Sequence, residues 1–455
     1  MTYYDWLDRR LTRRQLVRRA AGVGGVLAAG PLLAACGGDD EKEPSGGGGD
    51  DEFKGTGKVV IGAFEDGGLT PFKEKIIPLF EQETGITLEF LEDEYGTFFE
   101  KAFNDAQTGA GQYDVYVLDD PWVPQFAAAD TLEDLGAGGL EPDDDFISQF
   151  IDMGYFPAKE GPRVKGFEDA DPILVASPFV GDLQTMTYRN DVFQEAPETW
   201  DELVATAKEA QDAGTVKYGF VFRGVAGNPV VTSWYPVFLS FGGQFFDDEW
   251  NPTWNDEKGK AATDFFVGTL KSLAPPGVVE FDSDQEGAAI LGGQAAAIIQ
   301  YSGNALKSDD PAQSKVVGKL DFGVVPKQEE AKAQIGIFIS AVPKAAPNKE
   351  NALKFVRWFA QERIQKELAR AGSLPVRRSA FEDEQAREAN RLTPVALEQL
   401  DAGAEPRPRT PDWAKVEEIL GIELNKALQR GETGDALDKA AEEAKGYLGQ
   451  QGYYG

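Results

Sequence analysis

An α/β protein built on a helix-connected parallel sheet is the fold class this sequence predicts. Short apolar runs rich in β-branched residues alternate with segments of helical apolar spacing. Glycines stand where the helices should stop. With 455 residues, 42% of them hydrophobic and 11% aromatic, the chain can bury a sizeable core. Its length points to more than one domain, or to a domain pair built around a cleft.

The elements follow in order. "KVVIGAF" (58–64) is a short apolar run closed by "EDGG" and reads as a strand. "PFKEKIIPLFEQETG" (71–85) has helical spacing and ends in Gly85. "ITLEFLED" (86–93) alternates like a strand. "GTFFEKAFNDAQTG" (96–109) reads as a helix with glycine after it, and "YDVYVLDD" (113–120) as a buried strand. Such a βαβ series places its ligand positions beyond the strand C-termini. Glu65 and Asp66 follow the first strand, Tyr95 the second, and Asp119, Asp120 and Trp122 the third. These six are therefore predicted to share one sheet edge and form a site.

Composition narrows the chemistry. The chain holds no histidine and one cysteine, Cys36. That nearly excludes a zinc site, a Cys/His nucleophile pair and a Ser-His-Asp triad. A net charge of −32 argues against nucleic-acid binding, which needs clustered Lys and Arg. "DSDQEGAAILGG" (282–293) begins like a calcium loop, but Gly293 stands where a bidentate glutamate is needed. It reads as a turn leading into a helix, and no metal is expected.

Residues 1–35 read as an export signal: "RRLTRRQLVRR" (9–19), then the small, apolar "AAGVGGVLAAGPLLAA" (20–35), too short and glycine-rich to span a membrane comfortably. "TRRQLV" (12–17), with Arg13 and Arg14, resembles the twin-arginine signal. "LAAC" resembles the bacterial lipobox, so Cys36 is the expected lipid attachment point after cleavage. Residues 36–56, "CGGDDEKEPSGGGGDDEFKGTG" with the glycine that follows, are expected to form a flexible acidic tether.

Here a family resemblance becomes specific. "GKVVIGAF", "LTPFKEKIIPLFEQETGITLEF" and "YDVYVLDDPWVPQFAAADTLEDL" (113–135) look like the opening of bacterial extracellular solute-binding proteins of family 1, the carbohydrate receptors of ABC importers similar to maltose-binding protein. "TYRNDVFQEAPETWDEL" (187–203), "FLSFGGQFFDD" (238–248), "ILGGQAAAIIQYSGN" (290–304) and the segment 339–381 continue the likeness in order, as does the tail 407–448. The resemblance implies an α/β, two-lobed, periplasmic-binding-protein-like (type II) fold with the ligand cleft between the lobes. It implies an N-lobe over 57–180, a C-lobe over 181–319, a return to the N-lobe over 320–372, and C-terminal helices on the C-lobe over 373–455.

The resemblance also maps a site. Asp66 falls on a ligand-binding aspartate of maltose-binding protein. Asp182, with Gln184 beside it, falls in the first crossing. Asp119, Asp120 and Trp122 occupy a sugar-contacting loop. Trp234 and Tyr235 fall where stacking aromatics stand, Tyr301 and Asn304 in a loop that carries an aromatic, Gly336 and Phe338 in the second crossing, and Arg409 and Trp413 at the cleft rim. The residues depart from the maltose pattern at most of these places, so the class is implied rather than maltodextrin. Trp358, Trp200 and Tyr188 are expected to be structural, with Thr199 and Glu202 as a capping box. The implied protein is a monomer without a cofactor. It binds a mono- or oligosaccharide and delivers it to the transmembrane subunits of an ABC permease, held to the outer face of the cytoplasmic membrane by its lipid alone. Two other readings stay open: an exported hydrolase using paired carboxylates, and a receptor for a polyamine or other cationic solute, since cation–π contacts use the same rings.

Overall fold

A computed structural model describes residues 52–454. Cys36, Arg13 and Arg14 lie outside the described residues. Among the described residues no helix is long and apolar enough to cross a membrane.

Nine strands form two sheets. They are β1 (Lys58–Phe64), β2 (Thr87–Asp93), β3 (Val115–Asp119), β4 (Ser177–Val180), β5 (Thr185–Arg189), β6 (Tyr218–Phe220), β7 (Ala295–Gln300), β8 (Leu320–Gly323) and β9 (Phe338–Ala341). The first sheet runs β2-β1-β3-β9-β4, with β1 parallel to β2 and β3, and β9 antiparallel to β3 and β4. The second runs β8-β5-β7-β6, with β6 and β7 parallel and the other pairs antiparallel. Each sheet has its own apolar core: one holds Phe72, Phe80, Phe98 and Trp358, the other Trp200, Trp234, Phe266 and Trp413. This is the two-lobed α/β fold that the resemblance implies.

Local chemistry explains the first elements. All of β1 after Lys58 is buried, as expected of a strand covered on both faces. The following helix opens with a π turn at Phe72–Ile76, runs α-helically over Ile77–Thr84, and stops at Gly85 with φ +75°. Tyr95–Thr108 starts on a Glu94 side-chain cap and ends at left-handed Gly109. Thr199 and Glu202 do form a capping box on Trp200–Asp212, with Trp200 fully buried.

Three segments cross between the sheets. Residues 181–184 join β4 to β5, and residues 324–337 join β8 to β9. Ala404 and Glu405 form the third, paired in parallel with Ala333 and Gln334. Leu183 bridges Ile335, Gln184 N–H donates to Gln334 O at 3.0 Å, and Gly336 N–H to Asp182 O at 3.1 Å. The floor between the lobes is thus a small sheet of its own.

The structure corrects three boundaries. β8 belongs to the second sheet, so the chain returns at 324–337 rather than from 320. Of the segment 373–455, Leu374, Val376, Phe381, Leu392 and Leu400 pack in the first core, although the Leu392–Ala402 helix also touches β5 and β8, and the Trp413–Arg430 and Ala436–Gln450 helices cover the second. The expected tether is ordered before residue 56: Phe53 is buried, Glu52 pairs with Arg357 at 3.0 Å, and Gly55 N–H donates to Thr84 O. One aromatic ring in an otherwise polar stretch is enough to dock it.

Gly421 marks a close helix contact in the second lobe. A Cβ there would lie 2.3 Å from Gly227 O. Gly421→Val is expected to cost about 1–3 kcal/mol in chemical denaturation. Gly446→Ala, with open space around it, should be neutral or stabilise by up to about 1 kcal/mol.

Candidate functional site

The carboxyl ends of β1, β2, β3 and β4 and the start of β9 meet at one edge of the first sheet. The ends of β6 and β7 and the start of β5 face them across the gap. Between the two edges lies a cleft of about 850 Å³.

Its N-lobe wall is aromatic. Phe64 stacks on Phe338 with ring centres 5.0 Å apart and planes at 15°, and Trp122 packs against Phe64 at 5.5 Å and Tyr95 at 4.6 Å. The β9 register, Phe338 opposite Asp119, places ring and carboxylate side by side. Tyr95 Oη donates to Asp119 Oδ2 at 2.7 Å. Arg407 forks onto the same carboxylate, Nη1 to Oδ2 at 3.0 Å and Nη2 to Oδ1 at 2.6 Å, and also bonds Asp120.

The floor is polar and shielded. Asp182 is 6% exposed, and its Oδ1 accepts the Ser302 N–H at 2.8 Å. Burial, reinforced by the nearby charge of Asp66, pushes the Asp182 carboxyl up to about 8. Burial also raises Asp66, against the Gly68 N–H that its Oδ1 accepts at 2.7 Å. Tyr301 Oη bonds Gln334 Oε1, and its ring presses on Gly336, where a Cβ would meet it at 2.6 Å. The glycine in the second crossing is there because a side chain would displace that ring. Gln184 holds the floor to the second lobe through Nε2 to Thr232 O at 2.8 Å. Gln300 Oε1 is buried at the cleft with no hydrogen-bond partner among the described residues.

Of the residues expected at a site, Glu65, Asp66, Tyr95, Asp119, Trp122, Asp182, Gln184, Tyr301, Gly336, Phe338 and Trp413 line the cleft. Four do not. Trp234 stacks on Phe238 at 4.2 Å in the second core, with Nε1 donating to Thr263 Oγ1. Tyr235, in the same helix, donates to Pro406 O at 2.9 Å. The helix they share, Asn228–Ser240, is largely apolar and buried from Val230 to Ser240, while its Asn228, Thr232 and Ser233 line the cleft. So apolar a helix is a core signal legible in the sequence. Asp120 is fully buried behind the wall with Arg407, and Arg409 turns away from the cleft to bond Asp120 O at 2.7 Å and Met153 O. Asn304 lies in the Ser302–Ala305 turn of helix, beside lining residue Gly303.

The cleft also contains residues the sequence reading missed. Arg407, two positions before the arginine singled out, is the one that reaches the wall. Arg223, Asp282, Glu286 and Glu417 line the C-lobe side. Asp282 caps the Ser283–Leu291 helix, as the turn reading expects, yet it also accepts from Arg223 Nε at 2.9 Å. Ten carboxylates and three cations line the cleft in all.

Comparison with known proteins follows from this geometry. Residues 66–366 match the family of bacterial extracellular solute-binding proteins, and the chain belongs to that family. Its members are the solute-binding components of ABC transporters, substrate-binding rather than catalytic proteins. A probable amino-acid ABC transporter periplasmic-binding protein of Sinorhizobium fredii is 23% identical over 82% of this chain and 85% of its own. A mannitol-binding protein of Pseudomonas aeruginosa is 26% identical over 65% of this chain and 67% of its own. The crystal structure of an ABC transporter solute-binding protein from Agrobacterium radiobacter K84 in complex with ribitol superposes with a TM-score of 0.72. It is 26% identical, with 87% of this chain and 99% of that one covered.

Two outcomes test this description. Arg407→Leu leaves Asp119 buried without its cation and Asp120 with only Arg409, 3.5 Å away, and should cost about 3–5 kcal/mol in chemical denaturation. Arg378→Leu removes an exposed pair with Asp401 and should cost no more than about 1 kcal/mol. The second concerns pH. A carboxyl that binds its proton more tightly folded than unfolded contributes stability at low pH, and loses it as pH rises through the folded value. With Asp182 raised from 3.8 to about 8, the melting temperature of the ligand-free protein should fall as pH rises from about 4 toward 8 and level off above it. Asp182→Asn should make that fall shallower, and the remainder belongs to the other buried acids raised in the same direction, Asp120, Glu286 and Glu417.

Proposed function

We propose that this chain is the lipid-anchored receptor of an ABC importer and that it binds a polyol, a monosaccharide or a short oligosaccharide between its lobes. The observation that carries the reading is the pairing, inside one cleft of about 850 Å³, of a stacked aromatic wall with buried carboxylate and amide acceptors. Sugar and polyol C–H faces pack on rings, and their hydroxyls exchange hydrogen bonds with carboxyl groups such as those of Asp66 and Asp182. Ribitol and mannitol, named for two of the similar proteins, have this chemistry. Glu65, Tyr95, Asp119, Trp122, Gln184, Tyr301, Gly336, Phe338 and Trp413 complete the ligand shell in this reading. A ligand touching both lobes favours their closure about the crossing segments, and a permease reads the closed surface.

The anchor is Cys36, acylated after removal of residues 1–35, so the receptor stays at the outer face of the membrane as a monomer beside its permease.

A thermal-shift panel of ribitol, mannitol, maltose and glucose tests the reading. At least one is expected to raise the melting temperature in a concentration-dependent way, and to be recovered chemically intact. Asp66→Ala and Asp182→Asn should each abolish the shift. A panel with no response would remove the polyol-or-saccharide reading, and a cleaved sugar would remove the receptor reading. Cys36→Ser should release the protein from cells that otherwise retain it.

A further inference from the structure

The C-lobe end of the cleft holds charge that a neutral polyol would leave unanswered. Glu286 is 1% exposed and Glu417 is 5% exposed. Both line the cleft, and the Oε1 atom of each has no hydrogen-bond partner among the described residues. Arg223 acts electrostatically on both, but its guanidinium is already bonded to Asp282 at 2.9 Å. Arg223 is thus shared by three carboxyl groups, and Glu417 is eased besides by the charge of Arg407 and a hydrogen bond with Asn228. Burial pushes Glu286 up to about 8 and Glu417 up to about 7, the mark of acids short of compensation. The other arginine at the cleft, Arg407, is committed to Asp119 and Asp120.

A buried acceptor without a donor is costly, and a buried carboxylate without a cation more so. A hydroxyl arriving there donates one hydrogen bond and brings no charge. A protonated amine donates as many as three and supplies the missing charge. We propose that Glu286 and Glu417, beside Arg223 and Asp282, form a subsite for a protonated amino group, so that the transported solute is an amino-substituted polyol or sugar. The proposal rests on the polyol-or-saccharide reading above and narrows it.

Calorimetric titration of the chain with matched pairs, sorbitol against 1-amino-1-deoxysorbitol and glucose against glucosamine, tests it, with putrescine as a cation lacking hydroxyls. The amino member of at least one pair is expected to bind about tenfold or more tightly than its neutral parent. In the Glu286→Gln/Glu417→Gln double variant that preference should vanish while the neutral parent binds within about threefold of its original affinity, which also shows the variant is folded. Equal binding of amine and parent, or an amine preference that survives in the double variant, would overturn the subsite and leave the polyol reading standing. Putrescine binding that depends on the two glutamates, with no binding of any hydroxylated ligand, would keep the subsite and overturn the polyol reading.

Discussion

Two separate cores can share one binding cleft only if the chain passing between them is itself held in place. Here three crossing segments lie side by side, with residues 333–336 in the middle, hydrogen-bonded to 182–184 on one flank and to Ala404 and Glu405 on the other. The amides of Gln184, Ala333, Ile335 and Gly336 find their acceptors in a neighbouring crossing, as they would in a sheet. The same bridge forms the cleft floor. Asp182 and Gly336 are bonded to each other through the backbone while facing the cleft. Whatever sits on that floor touches the segment about which the lobes move.

The third crossing does more than connect. Pro406 O accepts from Tyr235 of the second lobe, and Arg407 and Arg409 reach Asp119, Asp120 and the Met153 carbonyl of the first. Arg407 is 4% exposed and bidentate, so its ion pair is desolvated and its geometry is narrow. Together with Tyr95 it holds the Asp119 carboxylate beside the rings of Trp122 and Phe338. An exposed aspartate at the same point would swing freely and its charge would be screened. The acidic residues of the opposite wall lack such a fork, and that asymmetry gives the two ends of the cleft different chemistry.

Much of this is read from short-range pattern. The alternation of β1 to β3 with two helices, and the clustering of Glu65, Asp66, Tyr95, Asp119 and Trp122 at one sheet edge, follow from periodicity and from the rule that parallel strands present their carboxyl ends together. Capping boxes and left-handed glycines close the helices where the letters place them. The misplacements have specific causes. Trp234 and Tyr235 are assigned to the cleft by position along the chain, although their helix is largely apolar and it is Asn228, Thr232 and Ser233 that face the cleft. Arg407 and Arg409 are two residues apart in an irregular segment, and nothing local distinguishes which guanidinium faces the wall. Phe53 sits in a stretch whose average composition is that of a tether, and averages hide a single docking ring.

By itself, then, the sequence determines the α/β class, the N-lobe edge of the site, the absence of histidine, and the family order of phrases, because each depends on residues close together in the chain or on simple counting. Only the tertiary structure decides that Glu286 and Glu417, more than a hundred positions apart, join Arg223 at one end of the cleft, and that the third crossing supplies Arg407. Hydrophobic burial is non-directional and fixes which faces turn inward. The placement of a few charges in a desolvated gap depends on where two lobes and three crossing strands come to rest against each other.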